Sequence, residues 1–435
     1  MIKYCALLLL PITSVAIAQP PTVGDTATDD GLRYSVKPGD TLYGLADKYL
    51  SHLGDYAALQ KSLKLKEARH LQPGTTVILP RSLLKYTPAN AQLVAFRGAV
   101  AVNNAVAAVG MILREGAQIT TSSGASASFL LSNGSKVSLP SQSNVRLARL
   151  RKLVIDGSLD YVIAVDDGRM ETRATHFTDP NSRFQIRTPY ATSAVRGTEF
   201  RVAFSKAGVT DSLTEVLDGA VAVGAPKDFT PKIFPKAVGV AVTTTGSARS
   251  EALLPAPKVL NLAEIQHDDL VHFAVSPIDT AVGYHIQIAK DAGFVDVLDD
   301  LHSKAPQADF AHVPNGNQFV RVSALSATGF EGLADTSAFV RKLNSIHAIV
   351  EPGGHGGFRF KWFGSGGDTA RYRFQITTAP GATPLIDEPG LSERALELTH
   401  LAPGVYYWRV SATIVDQGES STAWTDFSKL TIVAN

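Results

Sequence analysis

Only one cysteine occurs in the 435 residues, and it stands at position 5. Cys5 lies at the front of an N-terminal apolar run and leaves with it if that run is cleaved, so the remaining chain can form no disulfide and offers no thiol nucleophile. Thiol peptidase and transpeptidase chemistry is thereby excluded. Charge of one sign is equally scarce: Lys and Arg total 41 against 40 Asp and Glu, a formal net charge of +1. Nucleic acid is not an expected partner, because neutralising phosphates takes a basic excess. The 11 histidines are scattered, with no HExxH and no HxH pair, so their spacing points to no zinc hydrolase. Neither a GxSxG elbow nor a phosphate-cradling glycine loop is present. His267, Asp268, Asp269 and His272 come nearest to a cluster and read as a solvated turn where a linker enters a domain. No catalytic residue, metal or cofactor is assigned, and a non-enzymatic protein is expected.

Long apolar runs are missing after the first residues. The next most apolar stretch, Leu93 to Leu113, is broken by Arg97, Asn103 and Asn104, so no transmembrane helix is expected beyond the start of the chain. That start reads as an export signal: Lys3 is positive, Cys5 to Ile17 is apolar, and Ala16-Ile17-Ala18 offers small residues for cleavage before Gln19. Pro11 interrupts the run, and Gln19-Pro20-Pro21 ends it short of the ~20 residues a membrane span requires. The expected layout is a signal over 1–18, a flexible leader over 19–33 and a mature chain in the periplasm or at the cell surface.

What is present is strand and turn. The mature length calls for at least three domains, and its wealth of Thr, Ser, Val and Gly favours short strands over long helices. In the first segment, Tyr34-Ser35-Val36 reads as a strand and Pro38-Gly39-Asp40-Thr41 as a turn whose Asp40 can cap a helix. Leu42, Leu45, Ala46 and Tyr49 then recur at helical spacing. Asp55 can cap a second helix bearing Tyr56, Leu59 and Leu63, and Leu71-Gln72-Pro73-Gly74 turns into a closing strand, Thr75 to Leu79. Framed by "YSVKPGDTLYGLADKYL" and "LQPGTTVILP", this βααβ unit over 34–80 resembles the LysM family. The resemblance implies binding of N-acetylglucosamine polymers such as peptidoglycan between two loops. Those loops hold Gly39, Asp40, Thr41 and Leu42 on one side and Gln72, Pro73 and Gly74 on the other. A neutral acetamido sugar needs main-chain donors and acceptors over a small apolar floor, and glycine turns expose the main chain closely. Read alone, Asp40 can equally do no more than cap the helix, and Gly39 and Gly74 no more than turn the chain.

From 93 to 254 short apolar runs alternate with Gly, Asn and Asp turns, predicting an all-β domain of hairpins. Ser126 to Leu131 faces Val137 to Leu139 across Asn133-Gly134, and Tyr161 to Val165 faces Arg169 to Thr172 across Asp166-Asp167-Gly168. Arg146, Arg149, Arg151 and Lys152 read as a solvated strand face, and Arg196 as the guanidinium of a tight turn bonded to nearby carbonyls. Three strings, "GMILREGAQITTSSGASASFLLSNGSKVSL", "IRTPYATSAVRGTEFRV" and "TEVLDGAVAVG", resemble the FecR domain family. That implies a periplasmic protein-contact module, with a FecR-type signalling adaptor as one alternative.

The last part is duplicated. Tyr284, Gln287 and Ile288 match Tyr372, Gln375 and Ile376; His312 and Gly316 match His400 and Gly404; Arg321 to Ala324 matches Arg409 to Ala412, at one constant offset. Both copies, 257–342 and 346–435, read as short alternating strands, with Trp362 and Trp408 as core residues. Their size and strand spacing resemble the fibronectin type III or immunoglobulin-like β-sandwich. The fold class expected is therefore multidomain and mainly β: a small βααβ LysM module, an all-β FecR-like domain and two sandwiches. The function expected is peptidoglycan binding with presentation of β-rich surfaces to an envelope protein partner; a cell-surface adhesin is the other alternative.

Overall fold

The structure, a computed structural model, describes residues 31–63, 71–205, 211–225, 231–262, 265–365, 369–416 and 418–433. The export signal and the leader as far as residue 30 lie outside the described residues. The chain is mainly β and divides into two units, the second beginning at Leu254. Among the described residues no helix is long and apolar enough to cross a membrane.

The first unit opens with β1 (Gly31–Ser35), paired antiparallel to β2 (Thr76–Pro80) from Gly31↔Pro80 to Ser35↔Thr76. Gly31, Leu32 and Arg33 thus belong to the sheet and not to the leader. Between the strands lie α1 (Leu42–Tyr49) and α2 (Tyr56–Ser62). The apolar stripe of α1 turns Leu42, Leu45 and Ala46 inward onto Leu32, Leu59 and Leu79. This core is too small to close on itself. Leu153, 1% exposed, completes it from the next domain, with Ile155 packed alongside. Buried Arg81 donates to the Asn181 carbonyl, and Asn181 Nδ2 donates to the Arg33 carbonyl at 3.2 Å. The βααβ module is therefore seated on its neighbour.

Strands from Tyr86–Pro88 to Ala248–Ala252 close into a barrel around one core that includes Leu93, Phe129, Tyr161, Phe184 and Phe200. Its first strand precedes the expected start at Leu93. The Asn133-Gly134 hairpin forms as read, joining Ser126–Leu131 to Lys136–Leu139 with Gly134 at φ +84°. The second expected hairpin does not. Leu159–Arg173 is a single strand of 15 residues: its first half pairs with Asn144–Leu153 and its second half with Glu199–Phe204. Asp166-Asp167-Gly168 is where it changes partner strand. Gly168 has φ +85°, and a Cβ there would stand 2.4 Å from the Gln142 carbonyl oxygen. The glycine marks close backbone approach within a strand instead of a chain reversal.

Of the residues expected on a solvated face, Arg146 and Lys152 are exposed, while Arg149 and Arg151 are half-buried and paired. Arg151 forks onto Glu115 at 2.6 and 2.8 Å, and Arg149 lies 3.5 Å from buried Asp160. Arg196 follows its reading, donating to the Phe177 carbonyl at 3.0 Å beside Gly197 at φ +74°.

In the second unit each repeat faces one sheet against another. In the first copy, Val271–Ala274 and Gln307–Phe310 cover the four-stranded sheet Val297–Ser303, Ala281–Ala289, Gly316–Ser326 and Glu331–Arg341. Phe273 packs edge-on against Phe339 at 4.9 Å across the gap. In the second copy, Trp362 and Trp408 are 0% and 2% exposed, and Trp408 lies 4.9 Å from Phe360. The duplication extends to backbone strain: His312 and His400 both adopt left-handed φ, +58° and +62°. Asn344 at the junction is buried and donates to Ser421 and Ala412 carbonyls at 2.8 and 3.3 Å, so the copies are joined by a bonded corner. His267 and His272 do not gather: His267 bonds the Lys342 carbonyl at 2.9 Å, and His272 bonds Asp309 at 2.6 Å.

Candidate glycan-binding site

Two turns lie at one end of the β1–β2 sheet, and one chemistry builds both. Lys37-Pro38-Gly39-Asp40 closes with the Asp40 N–H donating to the Lys37 carbonyl at 3.1 Å; Gln72-Pro73-Gly74-Thr75 closes with the Thr75 N–H donating to Gln72 at 3.2 Å. Proline presets φ at the second position, and glycine supplies the left-handed φ at the third, +87° at Gly39 and +83° at Gly74. Val36 ties the turns together. Its N–H donates to the Thr75 carbonyl at 2.9 Å, and its carbonyl accepts from the Gly74 N–H at 2.8 Å. A Cβ built on either glycine meets nothing within 4 Å. The main chain of both turns is open to a ligand.

The side chains divide. Gly39, Thr41, Gln72, Pro73 and Gly74 are exposed. Asp40 is half-buried, and its Oδ2 accepts from the Tyr34 hydroxyl at 2.7 Å and from the Lys37 N–H at 2.8 Å. Burial, then the hydrogen bond and charge of Asp40, push the Tyr34 pKa well above the usual tyrosine value, so its proton stays on the donor. Asp40 therefore braces the turn. The helix is capped by Thr41, whose Oγ1 accepts from the Gly44 N–H at 3.0 Å. Asp55 stands at the N-cap of α2 but makes no side-chain cap bond.

Leu42 is corrected: it is 0% exposed, because the stripe that makes α1 amphipathic points it into the core. Its side chain is therefore part of the module's core and offers no surface to a ligand. Tyr43 was missed. It is 59% exposed, and its ring packs on Tyr56 at 6.2 Å. The signal was legible, since Tyr43 falls off the Leu42, Leu45, Ala46, Tyr49 stripe and so must face outward.

Residues 34–80, which carry both turns, match the LysM domain. The chain carries a LysM module. Residues 117–222, the middle of the barrel, match the FecR protein family. No curated protein matches the chain. Among solved structures, a putative anti-sigma factor from Parabacteroides distasonis is 19% identical, with a TM-score of 0.26 over 31% of this chain; the match spans 59% of that protein. A two-domain fibronectin type III segment of chicken tenascin is 12% identical, with a TM-score of 0.20 over 39% of this chain and 96% of that one. The FN1–FN3 domains of chicken CNTN1 are 11% identical, with a TM-score of 0.20 over 67% of this chain and 97% of that one.

Proposed function

We propose that this protein is an exported, non-enzymatic, peptidoglycan-binding protein of the periplasm. Its LysM module holds N-acetylglucosamine-containing glycan, while the barrel and the sandwiches present surfaces to an envelope protein partner. The observation that carries this reading is the pair of Pro-Gly turns locked side by side through Val36. LysM domains bind peptidoglycan or chitin-like glycans of N-acetylglucosamine, and two open stretches of main chain supply the amide groups that acetamido sugars bond. Gly39, Thr41, Gln72, Pro73 and Gly74 line the contact, and Asp40 positions the first turn through Tyr34 and Lys37.

Co-sedimentation with purified sacculi tests it. Deleting the module would uncover Leu153 and Ile155, so point substitutions are the cleaner probe. Gly39→Ala with Gly74→Ala adds a methyl over each open turn and strains each left-handed φ by about 1–2 kcal/mol. Binding is expected to weaken about tenfold or more, or ~1.4 kcal/mol, with the barrel still folded by near-ultraviolet circular dichroism. A folded double variant that pellets like the unaltered protein would remove the glycan assignment.

The FecR match over 117–222 favours a second role for the barrel as a signalling adaptor. Photo-crosslinking from exposed barrel positions such as Val106 in intact cells tests this. Recovery of a membrane-spanning regulator supports the adaptor, and its absence alongside retained sacculus binding leaves the scaffold alone.

A further inference from the structure

The first sandwich carries a cluster that glycan binding does not use. His285 on Ala281–Ala289 faces His302 on the edge strand Val297–Ser303, and Gln287 faces Asp300. One ligand atom from each of His285, Asp300 and His302 lies within 4.8 Å of the others. His285 is 5% exposed, with Nε2 2.9 Å from Asp300 Oδ1 and Nδ1 3.0 Å from Glu331 Oε1. We propose that His285 Nε2, Asp300 and His302 bind a divalent transition-metal ion of the zinc type, with Glu331 as a positioning residue behind His285.

The surroundings are arranged as such a site requires. Glu331, 3% exposed, accepts from the Ser323 hydroxyl at 2.6 Å as well as bonding His285 Nδ1. A carboxylate on the far nitrogen fixes the ring and aims Nε2 at the ion. Gln287 Nε2 donates to Asp300 Oδ2 at 2.8 Å, and Gln287 Oε1 is itself held by Arg321 at 2.7 and 2.9 Å. Asp300 is thereby oriented with Oδ1 toward the imidazole. An ion at ordinary zinc distances of about 2.0–2.2 Å from each atom needs only a small widening of the present 2.9 Å gap. Loading forms the metal–nitrogen and metal–oxygen bonds and releases the Nε2 proton to solvent. The rings of His285 and His302 stack at 4.2 Å and 10°. His302 must therefore turn about its side-chain torsions to share the ion, and its exposed place on an edge strand leaves room for that. Water completes a tetrahedron.

The second sandwich is an internal control. There Arg409 holds Gln375 Oε1 at 3.0 Å, and Gln375 Nε2 reaches Asp387 at 3.2 Å, the same brace. By register Asp300, opposite Gln287, takes the place of Asp387, opposite Gln375. At the position of His285 stands Arg373, which forks onto Asp387 at 2.6 Å, and a bulge sets Pro389 and Gly390 where the first sandwich has His302. One copy answers the carboxylate with a permanent cation; the other surrounds it with two imidazoles.

Zinc chloride titrated calorimetrically into the metal-stripped full chain at mildly alkaline pH tests the site, with cobalt(II) absorption reporting geometry. One saturable equivalent is expected. His302→Gly and His285→Arg, which copy the second sandwich, should each weaken it at least tenfold, and Glu331→Gln about tenfold. His272→Ala, at the separate exposed pair with Asp309, should change nothing. No saturable binding, or binding that survives in folded His302→Gly and His285→Arg, overturns the proposal; unchanged affinity in Glu331→Gln removes the positioning role.

Discussion

Replacing Trp408 by alanine is expected to unfold the second sandwich while the LysM module still pellets with sacculi. Trp408 is 2% exposed and packs on Phe360 at 4.9 Å and Phe374 at 6.3 Å, at the centre of its core. Emptying such a site costs about 3–5 kcal/mol, a large share of the ~5–15 kcal/mol that holds a domain folded. The LysM core draws on Leu153 and Ile155 of the first unit. Limited proteolysis run beside sacculus binding reads both outcomes. Trp408→Phe is the companion variant: the indole Nε1 has no hydrogen-bond partner among the described residues, so a smaller ring should be tolerated far better. Unchanged protease resistance in the alanine variant would show that the fold of this sandwich does not depend on Trp408.

Glu215→Ala is expected to cost the barrel a similar ~3–5 kcal/mol. Glu215 is 1% exposed and shared by two guanidiniums, Arg169 at 3.1 Å and Arg201 at 3.5 Å; Arg201, 3% exposed, leans on Glu171 at 3.1 Å. Removing the central anion takes a carboxylate from both guanidiniums at once, one of them out of reach of water. Glu171→Ala should cost less, because Glu171 sits nearer the rim at 14% exposure. Urea unfolding of the two variants gives the ranking, and equal or reversed losses would show that Glu215 is not the centre of the network.

Turn chemistry that depends on neighbours in the chain was legible. Both Pro-Gly turns of the LysM module and the Asn133-Gly134 hairpin stand where the residues place them, because proline fixes φ and glycine alone readily takes the left-handed φ these turns need. Roles assigned from the same local cues were less secure. Asp40 and Thr41 are adjacent and both suit an N-cap; only the position of Tyr34 across the module gives Asp40 another bond and leaves the cap to Thr41. Gly168 after two aspartates looks like a turn until the Gln142–Ser143 backbone is seen pressed against it. Leu42 belonged to two readings at once, a loop and a helical stripe, and burial chose the stripe.

The amino-acid sequence by itself determined the order of the domains, the small βααβ module, the β-rich remainder and the duplication, since each rests on periodicity, turn residues or repetition along the chain. Tertiary structure alone decided that the LysM core closes on Leu153 and that Arg151 meets Glu115. It alone decided that His285, Asp300 and His302 converge. These depend on register between strands, and a shift of one residue would send every side chain to the opposite face.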